Sequence, residues 1–352
     1  MSCARNNMEE IEGLTLYTGS NGKKGCSCSC IGCSQEKYGQ THPLYQGNLE
    51  QIKDILKIAP NIKKAIILGN PDISVDPDFV NETAKLLTSL KISVRFSTSG
   101  YNALLVANKV LSGVDKNYID YYNFSIDSIN AEKSQMLRGN AINLSDVRAA
   151  IKYCQNIDVP VKIQPTLWEC NKNDYKEIID FFSDLGVRWF SFHCGSFETF
   201  VDKKTQLQHI TPWEWRIIFN NIIELCKEKN LKLHIPYLFL NNEEMAKYVA
   251  NNTEHCQPHK LKNTQIWLEN QYLRTTHCPL LNEVQKFEYN LYTGNKTDMD
   301  FSPCQEGYCP AAAKCLGNDL VGLSADGQGH KFFSPQKEEL NTICRFSNFY
   351  LA

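Results

Sequence analysis

The chain has 352 residues, of which 42% are hydrophobic, and its formal net charge is −2 at pH 7. That is enough apolar material for one large core, or for a large domain with a smaller one attached. The near-neutral charge argues against a nucleic-acid partner and against an anionic membrane surface. No apolar run approaches the ~20 residues that a membrane helix needs, and residues 1–13 lack the apolar core of a signal peptide. We therefore expect a soluble cytoplasmic protein without a membrane partner.

Strand-like and helix-like segments alternate through the first 235 residues. The predicted strands are short and apolar or alternating, and comprise residues 14–17, 65–68, 92–96, 122–126, 161–163, 189–192 and 231–235. The predicted helices have apolar residues at helical spacing, and comprise residues 48–58, 79–90, 103–111, 146–153, 175–185 and 213–229. Parallel strands need helical crossovers, so this order predicts a parallel sheet in an α/β fold. Whether the sheet is open or forms a full or partial barrel, functional residues gather at the C-terminal ends of its strands.

The alternation stops after about residue 240. The remaining segment contains six cysteines, many turn residues and two hairpin-like stretches, at residues 287–292 and 320–333. We predict a core α/β domain over residues 10–240 and a small cysteine-rich α+β domain over residues 241–352.

Cysteine is unusually frequent in this chain, which contains 15 of these residues. A disulfide framework belongs to small secreted domains, and this chain is predicted to be neither small nor exported. Clustered cysteines in a reducing compartment instead bind metal or take part in redox chemistry. Two clusters are present, at residues 26–33 and 256–344. Cys154 and Cys226 lie on apolar helix faces and are expected to be small core residues.

The first cluster lies directly after the first predicted strand. Its Cys26, Cys30 and Cys33 have C-x3-C-x2-C spacing, and three thiolates on a four-iron cluster leave one iron open. The open iron can chelate the amino and carboxylate groups of S-adenosylmethionine (SAM), and electron transfer into the sulfonium then gives a 5′-deoxyadenosyl radical. A zinc site on Cys28, Cys30 and Cys33 is the alternative, although no nearby histidine offers a fourth ligand.

With these cysteines and the strand ends that follow them, residues 14–198 resemble the radical SAM superfamily. The resemblance implies a partial (β/α)6 TIM-type barrel, a SAM-binding [4Fe–4S] cluster, and an external electron donor such as flavodoxin or ferredoxin. It also implies that residues at successive strand ends bind SAM: Gly69, Asn70 and Pro71 at the amino group, Ser97 in the turn after the third strand, Ser125 and Asp127 at the ribose, Arg138 at the carboxylate, and Gln164 facing the cavity.

Two positions depart from the pattern of the family. Gly32 precedes the third cluster cysteine, where the family usually has an aromatic residue that packs on the adenine. Asn70 replaces the acid that usually lies in the second of these segments. Ser125 and Asp127 also have a simpler interpretation, as helix-capping or turn residues.

The second cysteine cluster resembles the SPASM extension of the superfamily, or its shorter twitch relative, which holds an auxiliary iron–sulfur cluster. Cys304, Cys309 and Cys315 have C-x4-C-x5-C spacing, and the second interval matches the extension. The resemblance implies one auxiliary [4Fe–4S] cluster on Cys278, Cys304, Cys309 and Cys315, with Cys344 as the replacement for any one of them. A structural zinc site with the same ligands is the rival interpretation.

Cys194 is the candidate for a catalytic thiol, because it follows His193 at the end of the sixth predicted strand. A thiol there can return a hydrogen atom to a substrate radical, which gives an epimer. An auxiliary cluster can instead accept an electron, which gives an oxidation or a crosslink. The alternative is that Cys194 is a buried strand residue without a chemical role.

The resemblance leaves the substrate open between two classes. Relatives with such an extension modify ribosomally made peptides, and others are epimerases or dehydrogenases of sugars or aminocyclitols. We expect peptide maturation, although the 13 residues before the first strand leave no room for a leader-binding domain. A non-enzymatic iron–sulfur or zinc protein is the third hypothesis, and the matching segments at the strand ends argue against it.

Overall fold

The computed structural model describes residues 13–17, 28, 30, 49–68, 72–139, 142–194, 210 and 212–235, together with four strands between residues 263 and 297. In chain order the strands of the first part are β1 (Gly13–Tyr17), β2 (Lys64–Ile67), β3 (Ser93–Thr98), β4 (Ile119–Phe124), β5 (Val161–Ile163), β6 (Thr166–Leu167), β7 (Trp189–Ser191), β8 (His193–Cys194) and β9 (Lys232–His234). Seven of them are parallel neighbours in the order β1-β2-β3-β4-β5-β7-β9, while β6 and β8 form a separate parallel pair. The sheet curls into a half-barrel, which confirms the predicted partial barrel.

Helices connect these strands and cover one face of the sheet. They are α1 (Leu49–Ile58), α2 (Pro77–Ser89), α3 (Ala103–Leu111), α4 (Ala131–Arg138), α5 (Leu144–Asn156), α6 (Tyr175–Asp184) and α7 (Pro212–Glu228). Local sequence determines where they begin. At α2, Asp76 accepts a hydrogen bond from the amide of Phe79 at 3.3 Å, and Pro77 occupies the first turn. At α5, Asn143 accepts one from the amide of Ser145 at 3.0 Å. Each such cap stabilises a helix by about 1 kcal/mol.

The two faces of the sheet differ sharply in polarity, because alternate residues of a strand point to opposite sides. The face that packs on the helices is apolar, and includes Val94, Phe96, Tyr122, Phe124, Ile163, Phe190 and Leu233. Burying a side chain of this size stabilises the fold by roughly 1.5–3 kcal/mol. The opposite, concave face is polar, and carries Ser97, Asn123, Lys162, Ser191 and His234 in the alternate positions. The half-barrel therefore presents its hydrogen-bonding groups to its own interior.

Strands beyond residue 260 extend the same sheet. They are β10 (Asn263–Glu269), β11 (Tyr272–Thr276), β12 (Lys286–Asn290) and β13 (Lys296–Thr297). β10 pairs in parallel with β1, and the other three follow as antiparallel neighbours. The predicted hairpin at residues 287–292 overlaps β12, whereas the one at 320–333 lies outside the described residues. The division of the chain at residues 240 and 241 stays a prediction.

Candidate active site

The cysteine loop follows β1, at the C-terminal edge of the parallel sheet. Cys28 and Cys30 are described and partly exposed, whereas Cys26 and Cys33 lie outside the described residues. A hydrogen bond from Cys28 and burial raise the pKa of the Cys30 thiol, while the positive charge of Arg138 lowers it. The cysteine loop and Arg138 are therefore close enough to interact electrostatically.

Arg138 forms a buried, bidentate ion pair with Asp127. Its Nε donates to Asp127 Oδ2 at 2.5 Å, and its Nη2 donates to Oδ1 at 2.7 Å. The two side chains are 14% and 5% exposed. Burial lowers the pKa of the guanidinium, but the adjacent Asp127 carboxylate outweighs this effect and leaves the pKa above its ordinary value. The guanidinium is thus charged, and the geometry of the pair is the strong fork arrangement.

Local sequence explains how these two residues meet. Asp127 lies in the loop after β4, and Asn130 then caps α4 by accepting from the amide of Lys133 at 3.0 Å. The helix ends at Gly139, whose φ of 72° is a conformation that glycine adopts without strain. Two turns of helix between these signals bring Arg138 back beside Asp127. Sequence analysis did not predict α4, because the segment is short and mostly polar.

A buried asparagine, Asn171, ties the loop after β4 to the segment after β5. Its Nδ2 donates to the carbonyl oxygens of Asp127 at 2.7 Å and Thr166 at 3.0 Å, and its Oδ1 accepts from the amide of Trp168 at 2.6 Å. The amide of Thr166 in turn donates to Asp127 Oδ1 at 2.8 Å. Asn171 is 0% exposed, so these bonds are shielded from water. Sequence analysis missed Asn171, and no spacing or motif in the chain identifies it.

A second buried acid, Asp72, fixes the loop after β2. Its carboxylate accepts from Thr98 Oγ1 at 3.0 Å, from the Ser99 amide at 2.7 Å and from the Ser74 amide at 2.9 Å. It directly follows Gly69, Asn70 and Pro71, which lie outside the described residues. Asp72 therefore anchors the segment predicted to bind the SAM amino group to the end of β3. Sequence analysis missed it too, although an acid directly after that motif is a visible signal.

The structure brings Ser97, Ser125 and Gln164 to the C-terminal ends of β3, β4 and β5. The amide of Ser125 donates to the carbonyl of Thr98 at 2.8 Å, and that of Gln164 donates to the carbonyl of Phe124 at 2.8 Å. Ser97 Oγ accepts from Asn123 Nδ2 at 2.9 Å. These residues share one edge with Asp127 and the cysteine loop, as predicted from the strand order. Their SAM-binding roles stay predictions.

His193 and Cys194 occupy opposite environments. His193 is partly exposed on the concave side, where Ser191 Oγ lies 2.9 Å from His234 Nδ1 and 3.5 Å from His193 Nε2. Cys194 is 1% exposed and belongs to the hydrophobic core, together with Phe192. This is the environment expected of a buried strand cysteine, and the role of Cys194 as a hydrogen donor stays a prediction.

No three metal-binding side chains converge among the residues that the structure describes. The predicted ligands Cys278, Cys304, Cys309, Cys315 and Cys344 lie outside this part of the chain. At the first cluster, the chemistry of the donors fits an iron–sulfur cluster: thiols lie beside a fixed guanidinium, whose positive charge offsets the negative charge of thiolates. Residues 26, 30 and 33 would hold it.

Part of the chain matches a known family model, and solved structures share its fold. Residues 21–182 match the family model for the Radical SAM superfamily. No curated protein matches the chain significantly. Among solved structures, SuiB of Streptococcus suis bound to S-adenosylmethionine has a TM-score of 0.56 and 14% identity, with 80% of this chain and 63% of SuiB covered. In complex with its precursor peptide SuiA, SuiB has a TM-score of 0.57 and 14% identity, with 84% and 65% covered.

A second similar protein is anSMEcpe with bound AdoMet, which has a TM-score of 0.58 and 12% identity, with 81% of this chain and 76% of anSMEcpe covered. At such identities the likeness shows the fold alone, and the chain spans less than two thirds of the length of SuiB. The fold is a half-barrel of parallel strands, and the candidate site lies at their C-terminal edge. The family model covers residues 21–182, slightly less than half of the chain, and the solved structures share its fold. Of the helices that the structure describes, none has the length and hydropathy to span a bilayer.

Proposed function

We propose that this chain is a radical SAM enzyme that modifies a ribosomally made peptide by oxidation, crosslinking or epimerisation. In this proposal Cys26, Cys30 and Cys33 hold a [4Fe–4S] cluster. When bound, the cluster supplies the electron that cleaves SAM, and the resulting 5′-deoxyadenosyl radical abstracts a hydrogen atom from the substrate. The observation that carries the proposal is the meeting of Cys30, Arg138 and Asp127, from three separate segments, at one edge of the half-barrel.

The chain's own residues bind and orient the cofactor in this account. Arg138 places a fixed positive charge where the SAM carboxylate would lie, beside the cluster loop. Asp127 uses both carboxylate oxygens to hold Arg138, so we assign it a positioning role rather than a direct contact with the ribose. Among the described residues no acceptor pairs with Arg138 Nη1, which leaves this nitrogen for a ligand.

Asp72 and Ser125 complete the proposed SAM site. Asp72 would hold the Gly69–Pro71 segment in place for the SAM amino group, because its carboxylate ties the following residues to the end of β3. Ser125 is partly exposed at the end of β4, where its hydroxyl would reach the ribose.

Two proteins of similar fold that have been solved with peptides support a peptide substrate. SuiB shares this fold and has been solved with the precursor peptide SuiA, and anSMEcpe shares it and has been solved with the Kp18Cys peptide. The concave face lined by Ser97, Asn123 and Ser191 also suits a peptide, whose amide groups donate and accept hydrogen bonds. An auxiliary [4Fe–4S] cluster on Cys278, Cys304, Cys309 and Cys315, with Cys344 in reserve, belongs to the same proposal.

The proposal is tested by anaerobic purification, addition of dithionite and SAM, and detection of 5′-deoxyadenosine by mass spectrometry. We expect wild-type protein to form it and Cys30→Ala to form none. Cys154→Ala is the matched control, because Cys154 is buried in the core on α5 and should leave the product unchanged. Absence of 5′-deoxyadenosine from protein with an intact cluster would overturn the proposal. Iron and zinc analysis of the same sample tests the auxiliary cluster against the zinc alternative.

A further inference from the structure

Lys162 lies in the middle of β5 on the concave face of the half-barrel. Its neighbours along the strand, Val161 and Ile163, point the other way and belong to the hydrophobic core. Across the sheet it is in register with Asn123 on β4 and Trp189 on β7. Lys162 is only 7% exposed, and a lysine that is so deeply buried usually has a charged partner.

Among the described residues, Lys162 has aromatic rings beside it but no carboxylate that pairs with it. Its Nζ lies 4.1 Å from the centroid of the Tyr121 ring and 5.7 Å from that of Trp189. Aromatic faces attract a cation but do not neutralise it. Asp120, the acid at this end of β4, is engaged by Arg95, whose Nε lies 2.8 Å from Asp120 Oδ2. Within the described part of the chain, no carboxylate forms an ion pair with Lys162.

The other titratable groups around Lys162 reinforce its need for an anion. Burial first, and then the charges of Arg95 and Lys232, lower the pKa of Lys162 from 10.5 to about 7. Burial, His193 and Lys162 lower the pKa of His234 to about 3, so that this imidazole is neutral near pH 7. This part of the concave face is therefore rich in positive charge and contains one acid that is already paired.

Asn123 provides a second, independent sign of a ligand. It is 1% exposed, and Ser97 fixes its amide by accepting a hydrogen bond from Nδ2. Among the described residues no donor reaches Asn123 Oδ1, although this atom is fully buried. A buried acceptor without a donor costs about 1–3 kcal/mol, and a ligand with an N–H group would satisfy it.

We propose that this part of the concave face binds a carboxylate of the substrate, with Lys162 as its cationic partner and Asn123 accepting an N–H next to it. The inference deepens the proposed function, because it identifies the substrate as a peptide with an acidic group near the modified residue. The carboxylate can belong to an aspartate or glutamate side chain or to the C-terminus of the peptide. All three share the same recognition by a buried ammonium group.

Isothermal titration calorimetry on the full chain separates these sources with three small probes. Acetyl-glutamate amide carries a side-chain carboxylate, acetyl-glutamine carries a C-terminal carboxylate, and acetyl-glutamine amide carries neither. We expect one of the two acids to bind at least about tenfold more tightly than the neutral amide. The preference should vanish in Lys162→Met and persist in Lys109→Met, whose lysine pairs with Asp78 at an exposed site.

Proton uptake on ligand binding distinguishes a ligand-binding lysine from a purely structural one, because a structural lysine would take up no proton. A bound carboxylate favours the charged ammonium and raises the pKa of Lys162, so at pH 8 binding should take up close to one proton. Titrations in buffers of different ionisation enthalpy measure this uptake in wild-type protein, without any variant. Equal binding of all three probes, or carboxylate binding without proton uptake, would overturn the inference. Because no SAM cleavage is involved, this result stands apart from the test of the proposed function.

Discussion

Arg138 and Lys162 are two buried basic residues in the same half-barrel, and their immediate surroundings differ. Arg138 donates hydrogen bonds to both carboxylate oxygens of Asp127 in a fork-shaped pair. The amide of Thr166 also donates to Asp127 and helps to hold this acid in place. Lys162 has aromatic rings beside it and two other cations nearby. Burial first, and then the charges of those two cations, lower its pKa to about 7. Arg138 has a carboxylate partner within the fold, whereas Lys162 has none among the residues that the structure describes.

This difference indicates that Arg138 is paired within the fold, whereas Lys162 is paired when a ligand binds. A charge that is paired within the fold is rigid before any ligand arrives, which suits a residue that orients a cofactor. A buried charge without a partner destabilises the free protein, and binding of an anion restores the lost stability. We therefore associate Arg138 at the strand edge with SAM, and the concave face around Lys162 with the substrate.

The largest effect is expected when the Arg138 pair is broken. Asp127→Asn removes the charge that compensates a buried guanidinium, which should lower the free energy of unfolding by about 3–5 kcal/mol. Chemical denaturation measures this loss, and calorimetry on the reconstituted protein should also detect weaker SAM binding. The control is Asp78→Asn at the exposed Asp78–Lys109 pair, which should cost less than about 1 kcal/mol. Equal losses in the two variants would contradict the account.

Asn171 contacts the Asp127 loop but not Arg138 itself, so it can influence Arg138 only through that loop. Asn171→Ala leaves buried backbone groups without partners and should cost about 2–3 kcal/mol of stability. Asn81 is a matched control: it is buried, and its Nδ2 donates to the carbonyls of Val110 and Ser112 at 2.8 Å each, away from the site. Asn81→Ala should lose similar stability and keep its SAM affinity, whereas Asn171→Ala should lose both. A SAM affinity unchanged in Asn171→Ala would remove its positioning role.

The last effect concerns Lys162 and depends on pH. Because the pKa of Lys162 is lowered to about 7 in the folded protein, the unfolded chain binds more protons between pH 7 and 10.5. Stability therefore rises with pH through this window, and the destabilisation by Lys162 is complete only below it. Lys162→Met should be more stable than wild type by several kcal/mol at pH 6, with the difference shrinking towards pH 10. Parallel stability profiles of the two proteins would show that Lys162 is compensated.

The regular part of the fold was predictable because its signals are local. Apolar spacing identified each of the seven parallel strands of the core and the six longer helices, with ends shifted by up to three residues. Cluster spacing and the polar residues at strand ends also placed Cys30, Ser125, Asp127 and Arg138 on one edge. Helix α4 escaped prediction because its eight residues contain few apolar positions, although Asn130 and Gly139 signal its two ends.

The supporting residues were not predictable, because their partners are distant in sequence. Asn171 contacts Asp127 across 44 positions, and Asp72 contacts Thr98 across 26. Nothing in the residues next to Asn171 distinguishes it from an exposed turn residue, and at Asp72 the only local signal is the preceding Gly69–Pro71 motif. Lys162 is similar, because the register of β4, β5 and β7 determines which of the described residues face it. The role of a buried polar residue can be assigned only when the tertiary structure shows which groups lie opposite it.

The central claim is that the edge near Cys30, Asp127 and Arg138 holds SAM against an iron–sulfur cluster. Low-temperature electron paramagnetic resonance of the dithionite-reduced protein tests it most directly, with and without SAM. We predict a reduced [4Fe–4S] signal whose g-values shift when SAM is added, and a much weaker shift in Asp127→Asn. A cluster signal that stays the same at saturating SAM would contradict the account.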